Sequence, residues 1–137
     1  MVYGIGCDLC SIARMEKSLL GPHGAVFARR VFGPAEQAAL GLPLAEEEGT
    51  ARRTAHTVAS AAADFAAKEL SSSGGHRSAG ALFPLRDRSR PPAGGAPAYR
   101  FSGRSAQWVE ARRLRAHLSL SHEDSMAMAY CILETET

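Results

Sequence analysis

The stretch TARRTAHTVASAAADFAAKEL, Thr50 to Leu70, decides how this 137-residue chain folds. It is rich in alanine, holds neither glycine nor proline, and runs out at Ser71-Ser72-Ser73-Gly74-Gly75. That composition predicts one long helix with a defined end. Val58, Ala62, Phe65, Ala66 and Glu69 recur at helical spacing and share a stripe, which is expected to face the core. An alanine-rich helix buries little area by itself, so its partners must come from the flanking segments.

Upstream, Val2 to Cys7 is an apolar run broken only by glycines, as expected of a strand buried on both faces and ending at Asp8. Ser11 opens a short helix with Ile12, Met15 and Leu19 on one face and Arg14, Glu16 and Lys17 off it; Gly21-Pro22 ends it. Ala25 to Phe32 reads as a basic helix. Gly33-Pro34 introduces another that contains Glu36, with proline where a first turn tolerates it. Gly41 to Gly49 is an acidic linker.

Downstream, Gly74 to Gly95 is irregular, its one strand-like run, Ala81 to Leu85, interrupted by Pro84. Pro97 to Ser102 reads as a strand and Arg104 to Arg115 as a helix. His117 to Ser121 alternates as a strand does, and Met126 to Leu133 is apolar enough for a central strand. Helices and strands interspersed in this order predict a single α+β domain over residues 1–137, built on an antiparallel sheet.

Composition narrows the function. The chain is 45% hydrophobic and 22% charged with a net charge of +2, the profile of a soluble domain. Arginines gather at 29–30, 52–53, 86–90 and 112–115. Such clusters are either solvated helix faces or seats for an anionic partner, since a guanidinium fork matches paired oxygens. No aromatic platform is interleaved with them, which counts against nucleic acid. There is no apolar run of about 18 residues and no signal-peptide pattern. With three cysteines, Cys7, Cys10 and Cys131, too few for a disulfide scaffold, the expected setting is cytoplasmic. Cys7-x-x-Cys10 has no second pair to complete a zinc site, so these thiols are expected to pack.

Two carboxylates stand out. Asp8 ends a strand, and Glu69 lies on the apolar stripe near the end of the long helix, where the helix dipole disfavours negative charge. A buried carboxylate needs a partner. Either each pairs locally, or both share a cation; oxygen ligands in so small a number suit Mg²⁺ completed by phosphates and water. His117-Leu118-Ser119-Leu120-Ser121-His122 adds a strand-end histidine, either structural or touching a phosphate. A Ser121–His122 nucleophile is ruled out by geometry, because strand neighbours point to opposite faces, and no Gly-x-Ser-x-Gly elbow is present.

These pieces resemble a known family. Gly4-Ile5-Gly6-Cys7-Asp8-Leu9 with Ile12-Ala13-Arg14, Phe27-Ala28-Arg29-Arg30-Val31-Phe32 with Glu36, Phe65-Ala66-Ala67-Lys68-Glu69, Gly95-Ala96-Pro97 and the 117–122 segment occur in the order seen in holo-acyl-carrier-protein synthases. The resemblance implies a 4′-phosphopantetheinyl transferase fold, usually a homotrimer. It implies transfer of the 4′-phosphopantetheine arm of coenzyme A to a serine of an acyl carrier protein, with release of 3′,5′-ADP. Asp8 and Glu69 would hold Mg²⁺, and Glu69 would help deprotonate the serine. Lys68 would contact a phosphate, His122 would lie near the 3′-phosphate, and Arg14, Phe27 and Phe65 would meet the acidic helix of the carrier.

The chain departs from the family pattern at four places. Ser73 stands where a second lysine follows the motif, Asp64 where an arginine precedes Phe65, Ser11 where an acidic residue follows Asp8, and Ala96 where a lysine is frequent. Asp64 and Lys68, four residues apart on one helix, are placed to form an ion pair that draws Lys68 from substrate.

Overall fold

The computed structural model of the protein describes residues 1–42, 51–73, 83–85, 97–101 and 103–135. Strand β1 (Val2–Ser11) leads into three helices, α1 (Ile12–Leu20), α2 (Gly24–Val31) and α3 (Pro34–Leu40), and then the long helix α4 (Ala51–Ser73). Short strands β2 (Phe83–Leu85) and β3 (Ala98–Arg100) follow, then α5 (Gly103–Ala111) and the strands β4 (Leu114–Glu123) and β5 (Met126–Thr135). The main sheet is antiparallel in the order β1-β5-β4, and β2 pairs with β3 in a separate two-stranded sheet. The expected α+β architecture is present, with the apolar Met126–Leu133 run inside the central strand.

Each boundary has a local cause. The Ser11 hydroxyl accepts from the Arg14 N–H at 3.3 Å and caps α1, so the residue that replaces a family acid still closes a helix end. The Ile12 N–H donates to Ser125 O at 2.9 Å, which ties α1 to the β4–β5 turn. That turn uses Asp124 at φ 46°, a conformation aspartate tolerates better than most residues. Helix α3 starts at Pro34 and closes on Gly41 at φ 73°. Helix α5 is shorter than the sequence predicts. Arg113 turns left-handed at φ 50°, and β4 begins one residue later.

The core lies on both sides of α4. Met15, Leu19, Ala28, Phe32, Leu40, Val58 and Ala61 to Ala63 form one cluster with Ala127. Ala66, Ala67 and Ala129 form a second, with Cys10, Leu70, Leu118 and Leu120 against it. Nearly every residue from Thr57 to Ala67 is buried, Phe65 being the half-buried exception. The predicted stripe is therefore too narrow: α1–α3 cover one side of the helix and the sheet covers the other. Gly24 makes the α1–α2 crossing possible, since a Cβ there would sit 1.9 Å from Leu19 O.

The expectation that β1 is buried on both faces is wrong. Its inner residues Gly4, Gly6, Asp8 and Cys10 are half-buried under α4, whereas Tyr3, Ile5, Cys7 and Leu9 are exposed. Asp8 is also inside the strand, three residues before its end. Alternation in the sequence was masked because the inward positions are glycines, whose small side signals neither face.

Candidate active site

The register of the sheet lays out one face of the site. Asp8 stands opposite Ala129, which stands opposite Leu120; Cys10, Ala127 and His122 form the next row. Residues directly opposite share a face, so Asp8 and His122 both belong to the face under α4. At about 4.8 Å between strands, the His122 backbone lies about 10 Å across the sheet from Cys10. His122 is exposed at that edge.

Helix α4 supplies the other wall. Ala66 and Ala67 pack on Ala129 with Cys10 beside them. One turn later Leu70 lies over Gly6, where a Cβ would come within 3.1 Å of Leu70 Cδ2. Asp8 sits between Gly6 and Cys10 on that strand face. The last turns of α4 thus lie over this part of the strand, and a Cβ at position 6 would make the Leu70 side chain give by a few tenths of an ångström.

Neither carboxylate is as buried as the sequence implied. Asp8 is half-buried and Glu69 is exposed. Glu69 is one residue past the arc of α4 that the sheet covers, which the 3.6-residue period alone could not distinguish. Asp8 makes no hydrogen bond or ion pair among the described residues. A half-buried hard oxygen donor such as the Asp8 carboxylate fits a divalent metal that takes its remaining ligands from phosphate and water. Among the described residues no group of three or more His, Cys, Asp or Glu side chains is placed to hold a metal, so a site here would be one of few protein ligands.

The costly carboxylates are elsewhere, and sequence reasoning missed them. Glu36 and Asp64 are each 2% exposed. Glu36 Oε2 accepts from the Gly33 N–H at 2.7 Å and from Lys68 Nζ at 2.7 Å. Lys68 Nζ also donates to Val31 O at 2.6 Å and lies 5.4 Å from the centre of the Phe32 ring. Lys68, placed at a phosphate by the resemblance, thus reaches toward α2 and α3, where it forms an ion pair with Glu36, 32 residues away. A glutamate three residues into a proline-led helix does signal a capping box, but nothing local signals Lys68 as its partner.

Arg14 and Lys17 on α1 and Arg29 and Arg30 on α2 are exposed, beside exposed Leu20 and Val26. Phe27 and Phe65 are half-buried against the core. Helices α1 and α2 therefore present exposed basic residues with apolar spots between them. Ser73 lies in the last turn of α4; its side chain, Ala96, and the arginines at 77, 86, 88 and 90 lie outside the described residues, as does most of the 74–96 segment.

Of the cysteines expected to pack, Cys10 and Cys131 are half-buried but Cys7 is not buried. Cys7 is exposed on the outer face while Cys10 points inward, so the pair cannot converge on one metal. Burial raises the Cys10 and Cys131 thiols above their ordinary range. Burial also pushes the Tyr99 phenol up, and its hydroxyl donates to Ala67 O at 3.0 Å, which fastens β3 to α4 close to the Glu69 turn.

No family model matches the chain. Complete relatives do. A holo-acyl-carrier-protein synthase of Myxococcus xanthus is 34% identical over 98% of this chain and 97% of its own length. The crystal structure of the Neisseria meningitidis holo-acyl-carrier-protein synthase is 25% identical, with TM-score 0.65 over 98% of this chain and 100% of its own. The Bacillus anthracis synthase, solved in complex with coenzyme A (3′,5′-ADP), is also 25% identical, with TM-score 0.63 over 99% of each chain. The strand that carries Asp8 and the helix that carries Glu69 are elements of a fold shared with these enzymes, and this chain belongs to the holo-acyl-carrier-protein synthases.

Proposed function

We propose that this protein transfers the 4′-phosphopantetheine arm of coenzyme A to a serine of an apo acyl carrier protein and releases 3′,5′-ADP. The observation that carries this reading is the packing of the Leu70 turn onto Gly6; on it we assign Glu69, on that turn, and Asp8, on that strand face, to one site. Coenzyme A is bound by the Bacillus anthracis relative of the same fold.

Asp8 and Glu69 are the residues that would hold Mg²⁺. When bound, the ion would supply charge neutralisation at the pyrophosphate as the P–O bond breaks. Glu69, exposed at the rim, accepts the proton of the carrier serine as it attacks phosphorus. His122, on the same sheet face at its open edge, is assigned to the 3′-phosphate end of coenzyme A. Arg14, Lys17, Arg29 and Arg30, with Phe27 and Phe65 beneath them, form the dock for an acidic carrier helix, where opposite charge steers encounter.

The outer sheet face supports the homotrimer that the family resemblance implies. Ile5 is 67%, Leu9 59%, Met128 40% and Tyr130 38% exposed. These residues are contiguous through the register pairs Ile5–Ile132, Cys7–Tyr130 and Leu9–Met128. A contiguous apolar face of this kind is expected to be covered by protein. No helix among the described residues is long and apolar enough to cross a membrane.

The test is to incubate apo acyl carrier protein with coenzyme A, Mg²⁺ and this protein, and to weigh the carrier by mass spectrometry. A mass gain of one phosphopantetheine group supports the reading. If coenzyme A binds by calorimetry but no carrier of fatty-acid or polyketide type gains mass, while a standard transferase modifies the same samples, the protein binds without turning over. The Lys68 engagement with Glu36 and the serine at 73 favour that second reading, and a large rate gain in Ser73→Lys would show that the missing cation limits turnover.

A further inference from the structure

We infer that Lys68 and Glu36 work as a positioning pair that sets the rotation of α4 and thereby aims Glu69; this rests on the assignment of Glu69 to the site. The pair joins three elements, the end of α2, the start of α3 and α4, at one point. Lys68 Nζ meets Glu36 Oε2 at 2.7 Å and Val31 O at 2.6 Å. Val31 ends α2, so its carbonyl is among those a helix leaves without an internal partner. The same Glu36 oxygen accepts the Gly33 N–H that opens α3, and the Phe32 ring lies under the ammonium. Side-chain exposure is 1% for Glu36 and 15% for Lys68, so water screens the pair poorly. Glu36 Oε1 has no hydrogen-bond partner among the described residues, which leaves the Lys68 ammonium as the visible counter-charge for that carboxylate.

The consequence for Glu69 is geometric. Successive helical residues differ by about 100° around the axis. With Lys68 fastened to α2 and α3 on one side and Leu70 seated on Gly6 on the other, the intervening residue is held between two fixed neighbours. A slip of about 20° in α4 would move a side-chain tip by about 2 Å, enough to disturb a metal or proton-accepting geometry. Lys68 is on this account a positioning residue, acting through Glu36, and not a phosphate ligand.

Three variants of the whole protein, Lys68→Met, Glu36→Gln and the double, test this. Each is assayed for transfer at saturating coenzyme A and for coenzyme A affinity by calorimetry, well below its own unfolding temperature. Glu36→Gln keeps the shape and an acceptor oxygen, so it stands in if Lys68→Met fails to fold. Each single variant is expected to lose about tenfold or more in kcat with coenzyme A affinity within about threefold of wild type. The double is expected to be no worse than the poorer single, because the two act as one unit. A large loss of coenzyme A affinity in Lys68→Met with Glu36→Gln unaffected overturns the proposal in favour of a phosphate contact. Losses that multiply in the double overturn it too. Wild type and Glu69→Gln run alongside separate the two readings: an active wild type with an inactive Glu69→Gln keeps the site whatever the pair does, whereas an inactive wild type sinks both.

Discussion

The two faces of the β1-β5-β4 sheet carry opposite chemistry on the same three strands. The inner face holds Gly4, Gly6, Ala127 and Ala129 under α4, with Ala127 and Ala129 fully buried. Small residues there let the helix come close, and the proposed site joins Glu69 to Asp8 across that approach. The outer face puts its bulk, Ile5, Leu9, Met126, Met128 and Tyr130, into solvent. In a monomer the reverse would be expected, with large apolar groups inward. The difference teaches that the inner face is shaped for a site and that the outer face awaits a partner, for which a second copy of the chain is the proposed occupant.

The largest expected effect lies on the inner face. Asp8→Asn and Glu69→Gln keep volume but remove charge, and each should slow transfer at least about 100-fold, equivalent to about 2.7 kcal/mol of barrier. For Asp8→Asn the thermal midpoint should hold or rise, since the Asp8 carboxylate makes no ion pair with a described cation. A variant that transfers at near the wild-type rate in the carrier mass assay would disprove the metal assignment. Ala129→Leu asks whether close approach matters. Overpacking a fully buried position against Ala66 and Ala67 should cost about 1–3 kcal/mol, lowering the midpoint by roughly 3–12 °C for a chain of this size. It should also slow transfer although it touches no charged group; a rate that survives the stability loss would show that the α4–sheet spacing is not critical.

The smallest effect on the chain's own fold belongs to the outer face. Leu9 and Met128 are opposite each other across β1 and β5, and the double variant Leu9→Lys/Met128→Lys puts like charges on the exposed surface. Sedimentation should show the homotrimer falling to single chains while the far-ultraviolet circular dichroism keeps its shape. An unchanged sedimenting mass would remove this face from the assembly.

How much was legible beforehand can be judged on particular residues. Met15 and Leu19 are buried as their spacing predicts. The long helix and the central strand Met126–Leu133 also stand where the sequence puts them, because composition and periodicity over such lengths leave few alternatives. Glu69 was misplaced in burial because an alanine-rich helix carries too weak an amphipathic signal to show which arc the core covers. The outward side of β1 was misjudged because alternating glycines hide the period of two.

What the sequence by itself determined is the α+β order of elements and, through motifs at Asp8 and at Lys68-Glu69, the family. Both reside in local spacing, which short-range sterics and hydrophobic periodicity express directly. Only the tertiary structure decided that Lys68 turns to Glu36 and that Leu70 closes on Gly6. Each is a contact between segments far apart in the chain, and which segments meet is settled by packing across the whole core.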